Sequence, residues 1–130
     1  MNNLPPATDL LAIARETLLA ELRPLLPEHA RYTLAMIANA MAIAARETEA
    51  GERPARAALA RLDALYGVPA RALAGDALTH ALREHERRFA AEIRCGAFDC
   101  EPQRTAALVH LRASVADRLR ISNPKALDAQ

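Results

Sequence analysis

The chain has 130 residues with 52% hydrophobic, 25% charged and only 3% aromatic residues, which fits one globular domain and excludes a disordered chain. A net charge of +1 supplies no global field for holding nucleic acid or an anionic membrane. No run of about 18 apolar residues exists to span a bilayer, and Met1-Asn2-Asn3-Leu4-Pro5-Pro6 lacks the basic and apolar regions of a signal peptide. A cytoplasmic protein with no membrane and no nucleic-acid partner is the expectation.

Alanine and leucine dominate, and both are strong helix formers. The expected class is all-α: a compact bundle of about five helices, with residues 1–130 forming a single helical domain. Thr8-Asp9 starts a first helix with Leu11, Ala14, Leu18, Leu22 and Leu25 at helical spacing, and Pro24 and Pro27 end it. A second helix runs from about Glu28 to Ala50, with Gly51 behind it. Leu34, Ile37 and Met41 form one face, while Met36 and Ile43 lie on the opposite one. A helix apolar all round predicts a buried central second helix. Tyr32, Asn39 and Arg46 recur every seven residues in one line along it. Asn39 is then expected to be buried and to need hydrogen-bond partners. Two readings stay open: a structural anchor, or a polar seam that holds a ligand.

Pro54 opens a third helix with Leu59, Leu62 and Tyr66 on one stripe. A connector over 68–75 leads to a fourth, capped by Asp76, carrying Leu78, Leu82, His85, Phe89 and Ile93 and ended by Gly96. His85 on that stripe reads as a satisfied core histidine, with an acid–base or ligand role as the alternative. Glu84 is placed to pair with Arg88. His80 and Glu84 lie off the stripe among Arg83, Arg87 and Arg88, which oppose a bound cation. A fifth helix carries Leu108, Leu111, Val115 and Leu119 until Asn123-Pro124 stops it, and places His110 on the opposite, exposed side.

Chemical motifs are scarce. There is no G-x-S-x-G, no glycine-rich phosphate loop and no H-E-x-x-H, so no catalytic residues, no metal site and no cofactor are predicted. Cys95 and Cys100 stand alone at C-x4-C spacing and read as free thiols, with a labile disulfide or a metal as lesser alternatives.

Several stretches together resemble a bacterial family of small all-helical domains of unknown function. They are 6–11, 37–47, 93–99, 110–112 and 119–124, including Asn39-Ala40-Met41, Cys95-Gly96-Ala97-Phe98 and Ile121-Ser122-Asn123-Pro124. The resemblance implies genomic company with acyl-CoA dehydrogenases and with phosphotransferases similar to aminoglycoside kinases, and it assigns no catalytic residue. Where some members carry a basic residue, this chain has Ala35. The leading functional expectation is a non-catalytic accessory that binds a phosphotransferase-like or acyl-CoA dehydrogenase-like partner. The rival is a small-molecule module, or minor enzyme, built on Tyr32, Asn39 and Arg46, with His85 as a further candidate contact. An exposed apolar patch favours the first, and a pocket lined by the seam favours the second. Sequence alone leaves the oligomeric state open.

Overall fold

The computed structural model describes residues 4–128. Among them are five α-helices and no strand: α1 (Ala7–Thr17), α2 (Glu28–Ala50), α3 (Arg53–Leu65), α4 (Gly75–Arg94) and α5 (Gln103–Ser122). The all-α expectation holds. The chain divides into two compact units, one through Gly51 and one from Glu52.

The first unit is a helical hairpin. α1 passes into a π-helical turn, Leu18–Leu22, and a 3-10 turn, Arg23–Leu25, before α2 begins behind Pro27. α1 ends at Thr17, before either proline; Pro24 lies inside the 3-10 turn, and the helical run stops at Leu25, where Leu26 ahead of Pro27 is extended at ψ 143°. The α1 guanidinium of Arg15 reaches across the hairpin, its Nε donating to the Ala38 carbonyl at 3.1 Å. Gly51 closes α2 at φ 54°, a conformation that suits glycine, and its N–H bonds the Glu47 carbonyl.

One expectation is corrected in this unit. α2 is not buried on all sides: Leu34 and Ala38 are its buried residues. Tyr32 is 74% exposed, Met36 52% and Ile37 50%. The apolar count of this helix comes largely from alanine, which raises helix propensity without requiring burial.

The second unit packs α3, α4 and α5. Leu59, Leu78 and Ala81 form one buried cluster, and Leu62, Phe89 and Ala107 form another. The residues 68–74 run without helical structure between α3 and α4. Glu52 stands in for a missing N-cap on α4: its carboxylate accepts from the Gly75 N–H at 2.7 Å, and that bond with the Arg56 ion pair holds it below the usual carboxylate range. At the other end Gly96, at φ 77°, turns the chain out of α4, where an added Cβ would meet the Asp99 carboxylate at 2.8 Å.

The orientation of α5 also departs from expectation. His110, expected on the exposed side, is buried, together with Ala107. Leu108, Leu111 and Val115, expected to face the core, are 42%, 40% and 55% exposed. Leu119, at the end of the same stripe, is half-buried, and the covered side of the helix mixes His110, Ser114 and Asp117 with Ala107, Ala113 and Ala116. After Ser122 the chain makes a 3-10 turn, Pro124–Ala126, with Ile121, Pro124 and Leu127 half-buried.

Candidate functional site

The residues singled out from sequence lie in both units. Tyr32, Asn39 and Arg46 belong to α2, where Tyr32 and Asn39 are exposed and Arg46 is half-buried. The expected burial of Asn39 is therefore corrected. It lies about 100° around the helix from Ala38, which faces α1. Seven residues along an α-helix span about 10 Å, so side chains at this spacing form a line rather than a cluster. The cleft between α1 and α2, about 580 Å3, is lined by Leu11, Leu19, Met41 and Ala45 among others, and by none of the three.

His85 is drawn into a polar network in the second unit. Its Nε2 lies 2.8 Å from Oδ1 of Asp63, whose side chain is 2% exposed. Arg71 approaches the same carboxylate with Nη2 at 2.6 Å and Nε at 3.3 Å. Arg71 has no acceptor to offer, so both Arg71 and His85 must donate to an ionised Asp63. Arg71 first, and His85 after it, hold the Asp63 carboxyl below its ordinary range despite burial. The ring of His85 also stacks on Tyr66 at 5.3 Å. Tyr66 in turn donates to Glu92 at 2.7 Å and lies under the Arg88 guanidinium at 3.9 Å. Burial and the Glu92 carboxylate push the Tyr66 phenol up to about 12.

This network has a clear structural purpose. Asp63 on α3 fastens the irregular 68–74 segment through Arg71 and fastens α4 through His85. Its own carbonyl accepts from the Val68 N–H at 2.8 Å. The histidine is thus satisfied, as its place on the stripe predicts, and no nucleophilic side chain is hydrogen-bonded to it. Arg88 pairs with Glu92, not with the expected Glu84, which lies 3.6 Å from His80.

A second constellation, between α3 and α5, was not singled out from sequence. His110, Ser114 and Asp117 follow at i, i+4 and i+7 on the inward face of α5. Arg61 of α3 meets them: its Nη2 donates to Asp117 Oδ2 at 2.9 Å and lies 3.5 Å from Ser114 Oγ. Ser114 Oγ lies 3.5 Å from His110 Nε2. The imidazole packs edge-on against Phe89 at 5.1 Å and 82°. Burial first, and the Arg61 charge second, push the His110 pKa down, so the ring is neutral at pH 7.

The hydrogen-bond inventory of this constellation is incomplete. Arg61 Nε and His110 Nδ1 are buried and have no partner in the protein. Both residues line a cleft of about 370 Å3 whose other walls are Ala64, Leu65, Ala106 and Val109. A neighbouring cleft of about 300 Å3 is lined by His110, Phe89, Leu111 and Val115, with Glu86 and Arg118. Two buried nitrogens without a partner, on residues that line apolar clefts, make this the candidate functional site of the second unit.

The remaining chemistry is thin. Cys95 and Cys100 are exposed free thiols. Among the described residues no three His, Cys, Asp or Glu side chains come together as a metal site, and no helix is long and apolar enough to cross a membrane. The comparisons with known proteins agree with the sequence resemblance at the level of family. No curated protein and no solved structure matches the chain. Residues 24–126 match the family model DUF6285, a domain of unknown function, and the chain belongs to that family.

Proposed function

We propose that this DUF6285 protein is a non-catalytic accessory that docks a protein partner through the outward face of α5. The observation that carries the reading is the exposed stripe of Leu108, Leu111 and Val115. Their i, i+3, i+7 spacing puts all three on one side of the helix. The cleft of about 300 Å3 beside Leu111 and Val115 gives a partner side chain somewhere to enter. Large apolar side chains on one exposed face mark an interaction site more often than a catalytic one.

In this reading the partner is a phosphotransferase-like or acyl-CoA dehydrogenase-like protein, as the family resemblance implies, and the complex works in the cytoplasm. Residues 1–130 act as one domain; the family match spans the boundary between the two units. Exposed Tyr32 and Asn39, with Met36 beside them, are further partner-facing groups on α2. A small-molecule role for the Tyr32–Asn39–Arg46 seam has less support, because its members are spread along the helix.

The test is direct binding. The purified protein is titrated against the phosphotransferase-like and dehydrogenase-like proteins encoded in the same genome, as wild type and as the Leu111→Glu/Val115→Glu double variant. Wild type is expected to bind one of them, and the variant to bind at least about tenfold more weakly with an unchanged helical spectrum. Equal binding by wild type and variant, or binding to neither protein, refutes the reading.

A further inference from the structure

α2 carries a pattern that docking on the outward face of α5 does not use. Tyr32, Met36, Asn39, Ile43, Arg46 and Ala50 follow one another at steps of four, three, four, three and four residues. That alternation averages about 3.5 residues and is the seam of a coiled coil, along which a second helix lies. At about 100° per residue the seam runs on the side of α2 away from Leu34 and Ala38, the buried residues of this helix. Tyr32, Met36 and Asn39 are exposed, and Ile43 and Arg46 are half-buried.

The order of side chains in the seam is self-complementary. Asn39 stands at the centre, with Tyr32 seven residues before it and Arg46 seven residues after it. A two-fold axis through Asn39 that sets a second α2 antiparallel brings Tyr32 level with Arg46 of the second copy, about 10 Å to either side of the axis. Met36 lies three residues before the centre and Ile43 four after it. The methionine then meets the isoleucine of the second copy within about 1.5 Å of register. A guanidinium over a phenol ring is a favourable contact, and Arg88 lies over Tyr66 in this way at 3.9 Å. Two carboxamides related by a two-fold axis can each donate to and accept from the other. A parallel pair would instead set Arg46 against Arg46, like charges at one level.

We propose that α2 is a homodimer contact, in which the seam of one copy packs antiparallel on the seam of a second, with Asn39 on Asn39 at the two-fold axis and Tyr32 on Arg46 at both ends. The contact spans about 21 Å of helix from Tyr32 to Arg46, which is short for a specific interface, so the dimer is a weak one. An amide at the centre of such a seam fixes register and orientation at a cost in affinity. This commits the exposed α2 face to a second copy and leaves α5 to the docking partner.

Sedimentation equilibrium of the full chain from about 10 µM to about 1 mM is the test, with circular dichroism to check that each variant is folded. Wild type is expected to pass from monomer to dimer within that range. Met36→Glu changes an exposed position and sets a carboxylate against Ile43 of the second copy, and it is expected to weaken the dimer by at least about tenfold. Two variants of Tyr32 read the orientation. Tyr32→Lys faces Arg46 of the second copy and is expected to weaken the dimer by about tenfold, whereas Tyr32→Glu offers that guanidinium an ion pair and stays within about threefold of wild type. In a parallel pair both substitutions meet their own like charge and weaken the dimer alike. Leu111→Glu/Val115→Glu is expected to dimerise as wild type does, whether or not it loses a docking partner. A wild type that stays monomeric at about 1 mM overturns the proposal. So does a dimer that Met36→Glu leaves intact or that Leu111→Glu/Val115→Glu abolishes, and so does Tyr32→Lys associating as tightly as Tyr32→Glu.

Discussion

Replacing Asp63 with Asn probes the densest polar junction of the second unit with almost no change of shape. The carboxylate is 2% exposed and accepts three contacts, at 2.6 and 3.3 Å from Arg71 and 2.8 Å from His85. An amide keeps one acceptor oxygen and turns an NH2 group against donors that cannot receive it. Removing one partner of a fully buried ion pair costs about 3–5 kcal/mol. Arg71 is 36% exposed, however, and can recover hydration, which discounts that figure. A loss nearer the value of a charge-assisted hydrogen bond follows, about 2–3 kcal/mol. For a chain of this size that lowers the melting temperature by about 10 °C. Thermal melts followed by circular dichroism at pH 7 read the effect, and adding Arg71→Gln should restore part of it, because the orphaned charge is gone. Acid adds an independent check. Asp63 is held below its ordinary pKa when folded, so its contribution is complete above the unfolded value of about 3.9 and disappears as pH falls through the lower folded value. Wild type should thus lose its advantage over Asp63→Asn below about pH 4. A variant that melts within about 1 °C of wild type at pH 7 refutes the assignment of Asp63 as an anchor.

Two further outcomes are expected. Asn39→Ala should leave stability within about 0.5 kcal/mol of wild type, since the side chain is exposed and alanine is the better helix former; a drop of 1–3 kcal/mol in a urea melt would restore a buried role. His110 has a folded pKa below its ordinary value, so protons bind the unfolded chain first; stability should fall as pH drops below about 6.5 toward that lower pKa, and His110→Phe should remove this slope in melts from pH 7.5 to 5.

Most of the helical framework was legible in the sequence because its signals are local. Pro27 stops the first helical run by keeping Leu26 extended, Gly51 and Gly96 end helices at positive φ, and Leu59, Leu62, Leu78 and Phe89 fall inside by periodicity. His85 was legible for the same reason. Its partner Asp63 was not, although a carboxylate one turn after Leu59 is itself a sign of a buried charge seeking donors. Arg71, the principal donor, lies in a segment with no period at all. α2 misled through composition: its alanines count as apolar, yet little is lost by leaving them in water. The cleft residues Arg61, His110, Ser114 and Asp117 were missed because the apolar stripe of α5 was read as its inward face.

The exposed apolar stripe and the inward polar line of the second unit follow from one choice made by α5. A helix with leucine and valine on one side and His110, Ser114 and Asp117 on the other can bury either face. Burying the leucines alone would leave Arg61 of α3 without Asp117, with which it pairs at 2.9 Å. Pairing them turns the polar line inward, where Phe89 covers the imidazole and Ala107 allows close approach. That arrangement costs desolvation of polar groups and leaves Arg61 Nε and His110 Nδ1 buried without a partner. It also leaves Leu108, Leu111 and Val115 in water. A monomer that only had to be stable gains by the opposite rotation, since apolar burial contributes about 25 cal/mol per Å2. Large apolar residues kept outward at that cost are what the proposed partner-docking role of this face requires.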